Sequence, residues 1–319
     1  MRYRFGFQAA FLCGIALLST HIPPDSAQER VKIPTVIDMS LPELARAYPE
    51  LKTLSVAQSQ DELPQLLKSV GDRVELLFED FPNTSSIEQV HLEEVDDHGV
   101  TLRSANRKYQ YLIIAHPQKD AIRLEEYRTD LKGSEINLES IVGFMLTEGD
   151  AGTPLFFHPL FRSECDFRYL GTDGTGKKLH VIAFAQRPET ARLKSTFTCL
   201  LGPVRFYLQG IAWVDPESYQ IVRIRTDLLA PLVEAGLVIN TTQVELGDFP
   251  IPQSNRTLWL PRETVITMKY MGKIFRNRHR YTDYRLFTVD SQDGQKQIVV
   301  PKPPPIAKGR ESKTLVRIG

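Results

Sequence analysis

From Glu164 onward the chain reads as strand after strand. ECDFRYLG, LHVIAFAQ, TFTCLL, VRFYLQGIAWVD, YQIVRIRTDL, LVINTTQVEL, ETVITMKYM and IFRNRHRYTDYRLFTV succeed one another with turn residues between them and no helical pattern. Parallel strands need a long crossover, usually a helix, so this succession predicts an antiparallel sheet. One of its turns is explicit: Asp215-Pro216-Glu217-Ser218 has Asp first and Pro second, as a type I turn prefers.

A sheet of this size must cover an apolar face, and the preceding residues supply covers. In DELPQLLKSVGDRVELLFE (61–79), Leu63, Leu66, Leu67, Val70, Val74, Leu77 and Phe78 recur at helical spacing and form one apolar side. A shorter helix is expected after Ser40, with Pro42 in its first turn and ELARAY following. Strands are predicted over IEQVHLEEV, VTLRSA, YQYLIIAH and AIRLEEYR, with DDHG and PQKD as turns. SEINLESIVGFML (134–147 region) reads as a further short helix, and the Gly- and Pro-rich loop after it carries Phe156, Phe157 and Phe161. These three aromatics are the expected apolar lid over a ligand.

Residues 171–178, GTDGTGKK, come within one residue of the phosphate-loop pattern GxxxxGK[ST], with Lys178 in place of the hydroxyl residue. A phosphate loop runs from a strand into a helix whose amides meet the anion. Here the run enters LHVIAFAQ, which is short, mostly apolar and stopped at Arg187-Pro188, so a glycine hairpin is predicted instead.

At the N-terminus, MRYR is followed by about 15 mostly apolar residues and then by polar THIPPDSAQ, the layout of a secretory signal with cleavage near Ala27. The apolar run is shorter than the about 20 residues of a membrane span, although an uncleaved anchor is the alternative. A periplasmic or secreted location is expected, with no integral span after cleavage. The expected organisation is a signal (1–27), one domain (28–300) and a Pro-rich basic tail (301–319). With 39 basic and 39 acidic residues, no global field draws in nucleic acid.

Two cysteines remain beyond the signal. Cys165 and Cys199 are either a disulfide, as an oxidising compartment favours, or two buried thiols. The histidines are scattered with no metal-ligand spacing, and His158 in FFHPLF reads as a packed loop residue. Glu93-Glu94 and Asp96-Asp97 are adjacent pairs, which point to opposite strand faces and do not converge. No acid, base and nucleophile can be assembled, so neither an enzyme nor a cofactor or metal is expected. One charged pattern stands out in KIFRNRHRYTDYR. Arg276, Arg278 and Arg280 share one strand face, while Phe275, His279 and Tyr281 share the other. The arginines are either a solvated face or a contact for an anionic headgroup, glycan or partner.

The stretch LQGIAWVDPESYQIVRIRTDL resembles periplasmic lipoprotein-sorting proteins of the LolA, LolB and RseB type, through Gly210, Trp213, Asp215, Val222 and Arg223. The likeness covers roughly residues 163–289, and the strand-rich segment 86–134 has no counterpart in the family pattern. The resemblance implies an α+β fold: an antiparallel curved sheet or incomplete β-barrel covered by one or two amphipathic helices, around an apolar cavity. It implies an exported cell-envelope protein that binds a lipid or a lipoprotein acyl chain. The alternative is a non-catalytic envelope module with a filled core that contacts another envelope protein.

Overall fold

The computed structural model describes residues 34–79, 83–118, 121–134, 136, 151–174, 177–193, 195–199, 202–251, 254–292 and 295–299. Contacts divide the chain into Met1–Lys32 and Ile33–Gly319, and every described residue belongs to the second unit. The expected signal, the helix over 134–147 except its first residues, and the tail lie outside the described residues.

Helix α1 (Leu41–Ala47) starts at a capping box in which Ser40 and Glu43 bond reciprocally, as the Ser40 cap predicts. Strand β1 (Ser55–Val56) precedes helix α2 (Leu63–Glu79). A meander follows: β2 (Thr84–Val95), β3 (Thr101–Gln118) and β4 (Ala121–Thr129). After a 3-10 turn at Thr153–Phe157 come β5 (Cys165–Asp173), β6 (Leu179–Gln186), β7 (Ser195–Cys199), β8 (Gly202–Phe206), β9 (Leu208–Val214) and β10 (Ile221–Leu228). The long strands β11 (Leu237–Ile251), β12 (Arg256–Tyr270) and β13 (Lys273–Leu286) complete the main body, and β14 (Thr288–Gln292) and β15 (Gln295–Val299) form a final hairpin.

Eleven strands make one curved, unclosed sheet in the order β1-β5-β6-β9-β10-β11-β12-β13-β2-β3-β4, and every pairing is antiparallel. The predicted antiparallel sheet is therefore present, with less helical cover than an incomplete barrel closed by helices would have. Segment 86–134 adds three strands beyond β13. VTLRSA and YQYLIIAH, expected as two strands, are one continuous strand of 18 residues, because β2 pairs with it from Thr101 to Ile113 and β4 from Gln110 to Gln118. Conversely, VRFYLQGIAWVD is split: β8 joins β7 in a separate hairpin, and β9 enters the main sheet.

The two faces are covered differently. On the inner face, Leu66, Val70, Val74 and Phe78 of α2 pack with Phe157, Phe184, Ala212, Ile224, Val244 and Leu260. Burial of each such side chain contributes about 1.5–3 kcal/mol, an upper value given a compact unfolded state. Gly71 lets the helix approach, since a Cβ there would meet the Phe157 carbonyl oxygen and an Arg162 nitrogen at 3.2 Å. On the outer face, Val36, Leu44, Tyr48 and Leu51 cover Leu170, Val181, Ala183, Ile211 and Trp213. Strands β6 and β9 are thus buried on both faces, which is why LHVIAFAQ and QGIAWV are apolar without alternation.

GTDGTGKK starts in the last residues of β5 (Gly171–Asp173) and leads to β6, which pairs with β5 antiparallel, as the glycine-hairpin reading predicts. Gly174 adopts φ +124, open only to glycine at low cost. Lys177 binds Asp215 at 2.7 Å and Glu217 at 3.1 Å, so its ammonium ties this hairpin to the β9–β10 turn. Asp215 also accepts the amides of Glu217 and Ser218, the side-chain turn expected of DPES.

The family-like residues have structural explanations in the same place. Trp213 is fully buried, donates Nε1–H to Asp173 at 3.1 Å and lies under the Arg223 guanidinium at 3.7 Å. At Gly210 a Cβ would overlap the Arg225 carbonyl oxygen and press on the Phe184 ring at 3.1 Å. Gly210→Ala is therefore expected to lower stability by about 1–3 kcal/mol, read as a lower urea midpoint, whereas an unchanged midpoint would contradict this packing.

Candidate functional site

Two places on the inner face combine chemistry with burial. The first is a cleft of about 180 Å³ between the C-terminal half of α2 and the ends of β10, β11 and β12. Leu76 and Leu77 roof it, Ile221, Leu246, Leu258 and Trp259 floor it, and Arg73 and Arg256 stand at its sides. Leu76 is 59% exposed although it adjoins this apolar floor. Trp259 is fixed by Nε1–H donation to the Ile221 carbonyl at 2.9 Å. The resemblance implies an apolar cavity, and this cleft is below the usual ligand range of about 300–1,000 Å³.

The difference has a physical cause in the residues expected as a lid. Phe156 and Phe161 are 6% exposed and Phe157 is fully buried. Ring centroids of Phe156 and Phe184 lie 5.1 Å apart, and those of Phe157 and Phe184 5.5 Å apart. The three phenylalanines are filled core, and they occupy the centre of the inner face instead of standing open to a ligand. His158 is buried beside them; its Nδ1 accepts the Leu160 amide at 3.1 Å, and burial lowers its pKa.

The second place is a buried ionic cluster where the β2–β4 meander meets β13. Glu88 and His279 are both completely buried on the inner face. Arg128 grips Glu88 through two bonds, Nε at 2.5 Å and Nη2 at 2.8 Å, and Glu88 accepts from His279 Nδ1 at 2.8 Å. The Arg128 guanidinium also lies over the Tyr111 ring at 5.4 Å. Burial alone would raise the Glu88 carboxyl pKa, but donation by Arg128 and His279 wins and holds it at about 2. Burial lowers the His279 pKa despite Glu88, so the ring is neutral at pH 7 with Nδ1 protonated toward the carboxylate. Tyr111, Tyr281 and Tyr284 pack around the cluster, and burial raises their phenol pKa values well above normal. Chemically this is a satisfied ion pair joining three strands, since the pairing partners Glu88–Tyr281 and Tyr111–Arg128 bring the groups together through register.

The arginine face is on the outer side, and each guanidinium has a carboxylate. Arg276 binds Glu93 at 2.8 Å, while Arg278 and Arg280 bind Glu263 at 2.8 and 2.7 Å. Phe275, His279 and Tyr281 are buried on the opposite face, as the alternation predicts. A shallow depression lies beside this stripe, lined by His91, Asn106, Lys108, Arg278 and Arg280 among others. Cys165 and Cys199 are not joined: both are free, one on β5 in the main sheet and the other on β7 in the separate hairpin. Burial pushes the Cys165 thiol up to about 12, so it is inert at neutral pH.

The ionic cluster sets an acid dependence. His279 binds its proton less readily in the fold than in the unfolded chain, so stability begins to fall as pH drops below about 6.5. Glu88 is depressed as well, so a second loss follows as pH falls through about 4.3 toward 2. Urea midpoints should therefore decrease from pH 7.5 to pH 4. Glu88→Gln should cost about 3–5 kcal/mol at pH 7 by leaving Arg128 buried without its counter-charge. A pH-independent midpoint would contradict the assignment.

No protein-family model matches the chain, and no curated protein matches it. Among solved structures it is similar to a DUF1329 family protein from Desulfovibrio piger, at 8% identity and a TM-score of 0.37, over 71% of this chain and 93% of that one. At that TM-score the likeness assigns neither a fold family nor a function.

Proposed function

We propose that this chain is a non-catalytic, exported protein of the cell envelope that holds an apolar chain between α2 and the sheet. The cleft roofed by Leu76 and Leu77 over Ile221, Leu246, Leu258 and Trp259 carries the reading. It is the place where an apolar floor is reached from solvent beside an exposed leucine, and burial there yields about 0.8 kcal/mol per methylene. The charged start, apolar run and polar stretch to Ala27 support export, for which a periplasmic location is the natural destination. No helix among the described residues is long and apolar enough to cross a membrane.

The phenylalanine-filled centre of the inner face supports a second reading, a packed envelope module that contacts another protein and binds no lipid. Native mass spectrometry of protein purified from the envelope separates the two. The first reading expects a co-purifying acyl-chain compound, lost when Leu77→Trp fills the cleft. Protein that carries no lipid in either form, and takes up none when an acyl chain is supplied, would overturn it.

A further inference from the structure

Resting on the apolar-chain reading, we infer that the occupant is a single-chain carboxylate, a fatty acid whose head is held by Arg73 and Arg256 at the mouth of the cleft. The volume limits the enclosed part of the tail. At about 180 Å³ the cleft lies below the usual ligand range of about 300–1,000 Å³, which suits part of one chain better than the two chains of a phospholipid.

Charge selects the head. Among the described residues no carboxylate pairs with Arg73 or Arg256, in contrast to Arg276, Arg278 and Arg280, which are all paired. Asp72, next to Arg73, is engaged one turn back by Lys68 at 2.7 Å. Arg73 spends only its Nε, donated to the Ser218 carbonyl at 2.9 Å, which fixes the side chain and leaves its terminal nitrogens for a ligand. Arg256 stands on β12 beside Thr257, also at the cleft. Two guanidiniums beside an apolar floor match a carboxylate with its chain directed inward, because each fork offers parallel donors to two oxygens. Both arginines are exposed at the mouth, so a neutral head would leave them to solvent and forgo this pairing.

The test compares dodecanoate with dodecanol by isothermal titration calorimetry at pH 8, on the chain with both tryptophans in place. Dodecanoate should bind about tenfold more tightly than the alcohol, and Arg73→Gln with Arg256→Gln should remove that advantage while leaving dodecanol binding unchanged. With both arginines present, raising salt from 20 to 300 mM should weaken the carboxylate selectively. Equal binding of acid and alcohol, insensitive to salt and to the double substitution, overturns the carboxylate assignment but leaves the apolar-chain reading standing. Failure of both compounds to bind overturns the two together.

Discussion

An open sheet has two faces to hide, and the rest of this structure follows from how each is hidden. The inner face of β5, β6, β9, β10 and β11 is apolar and is buried by α2 and the phenylalanine turn. The outer face of β5, β6 and β9 is apolar too, and residues 36–51 cover it. That outer strap is pinned by specific bonds: Val36 donates to Gln209, Arg168 donates to the Met39 carbonyl, and Arg225 pairs with Glu50 while lying over the Tyr48 ring. Covered on both faces, β6 and β9 form the doubly buried part of the sheet on whose inner side α2 packs. The C-terminal half of α2 extends past the phenylalanines, and the cleft is the space left beneath it.

The other half of the inner face is built on different physics. Beyond β12 the sheet buries Glu88, His279 and a group of tyrosines, with Arg128 largely covered, where aliphatic side chains would serve equally well for stability. A buried ion pair is weak evidence for stability, but it penalises misregister, because a one-residue slip would place Glu88 on the outer face. The meander β2–β4 thereby joins β13 in one register. The bulge at Asp283, with φ +56, lies on the same strand and shifts the phase of the alternation, so that Tyr284 is buried as Tyr281 is.

Much of this was legible from local signals. Helical spacing located α2, the Ser40 cap with Pro42 after it located α1, and glycines located the β5–β6 hairpin. The buried cluster left a trace as well: Glu88 shares its strand parity with Val90 and Leu92, and His279 with Phe275 and Tyr281. Arg128 could not be read that way, since only the β4–β3–β2 register brings it to Glu88. The outer strap, the pairing of β2 with β13 and the filling of the cavity by Phe156 and Phe157 are likewise products of long-range packing. Cleft residues were missed for the same reason, as Arg73 and Arg256 stand on elements far apart in sequence.

The central claim is that an apolar chain enters between α2 and the ends of β10, β11 and β12. Hydrogen–deuterium exchange with and without dodecanoate locates the occupant directly. The account predicts slowed exchange in the C-terminal half of α2 and in the strand segments around Ile221, Leu246 and Leu258. Protection confined to the outer face of β2 and β13, with α2 unaffected, would contradict it.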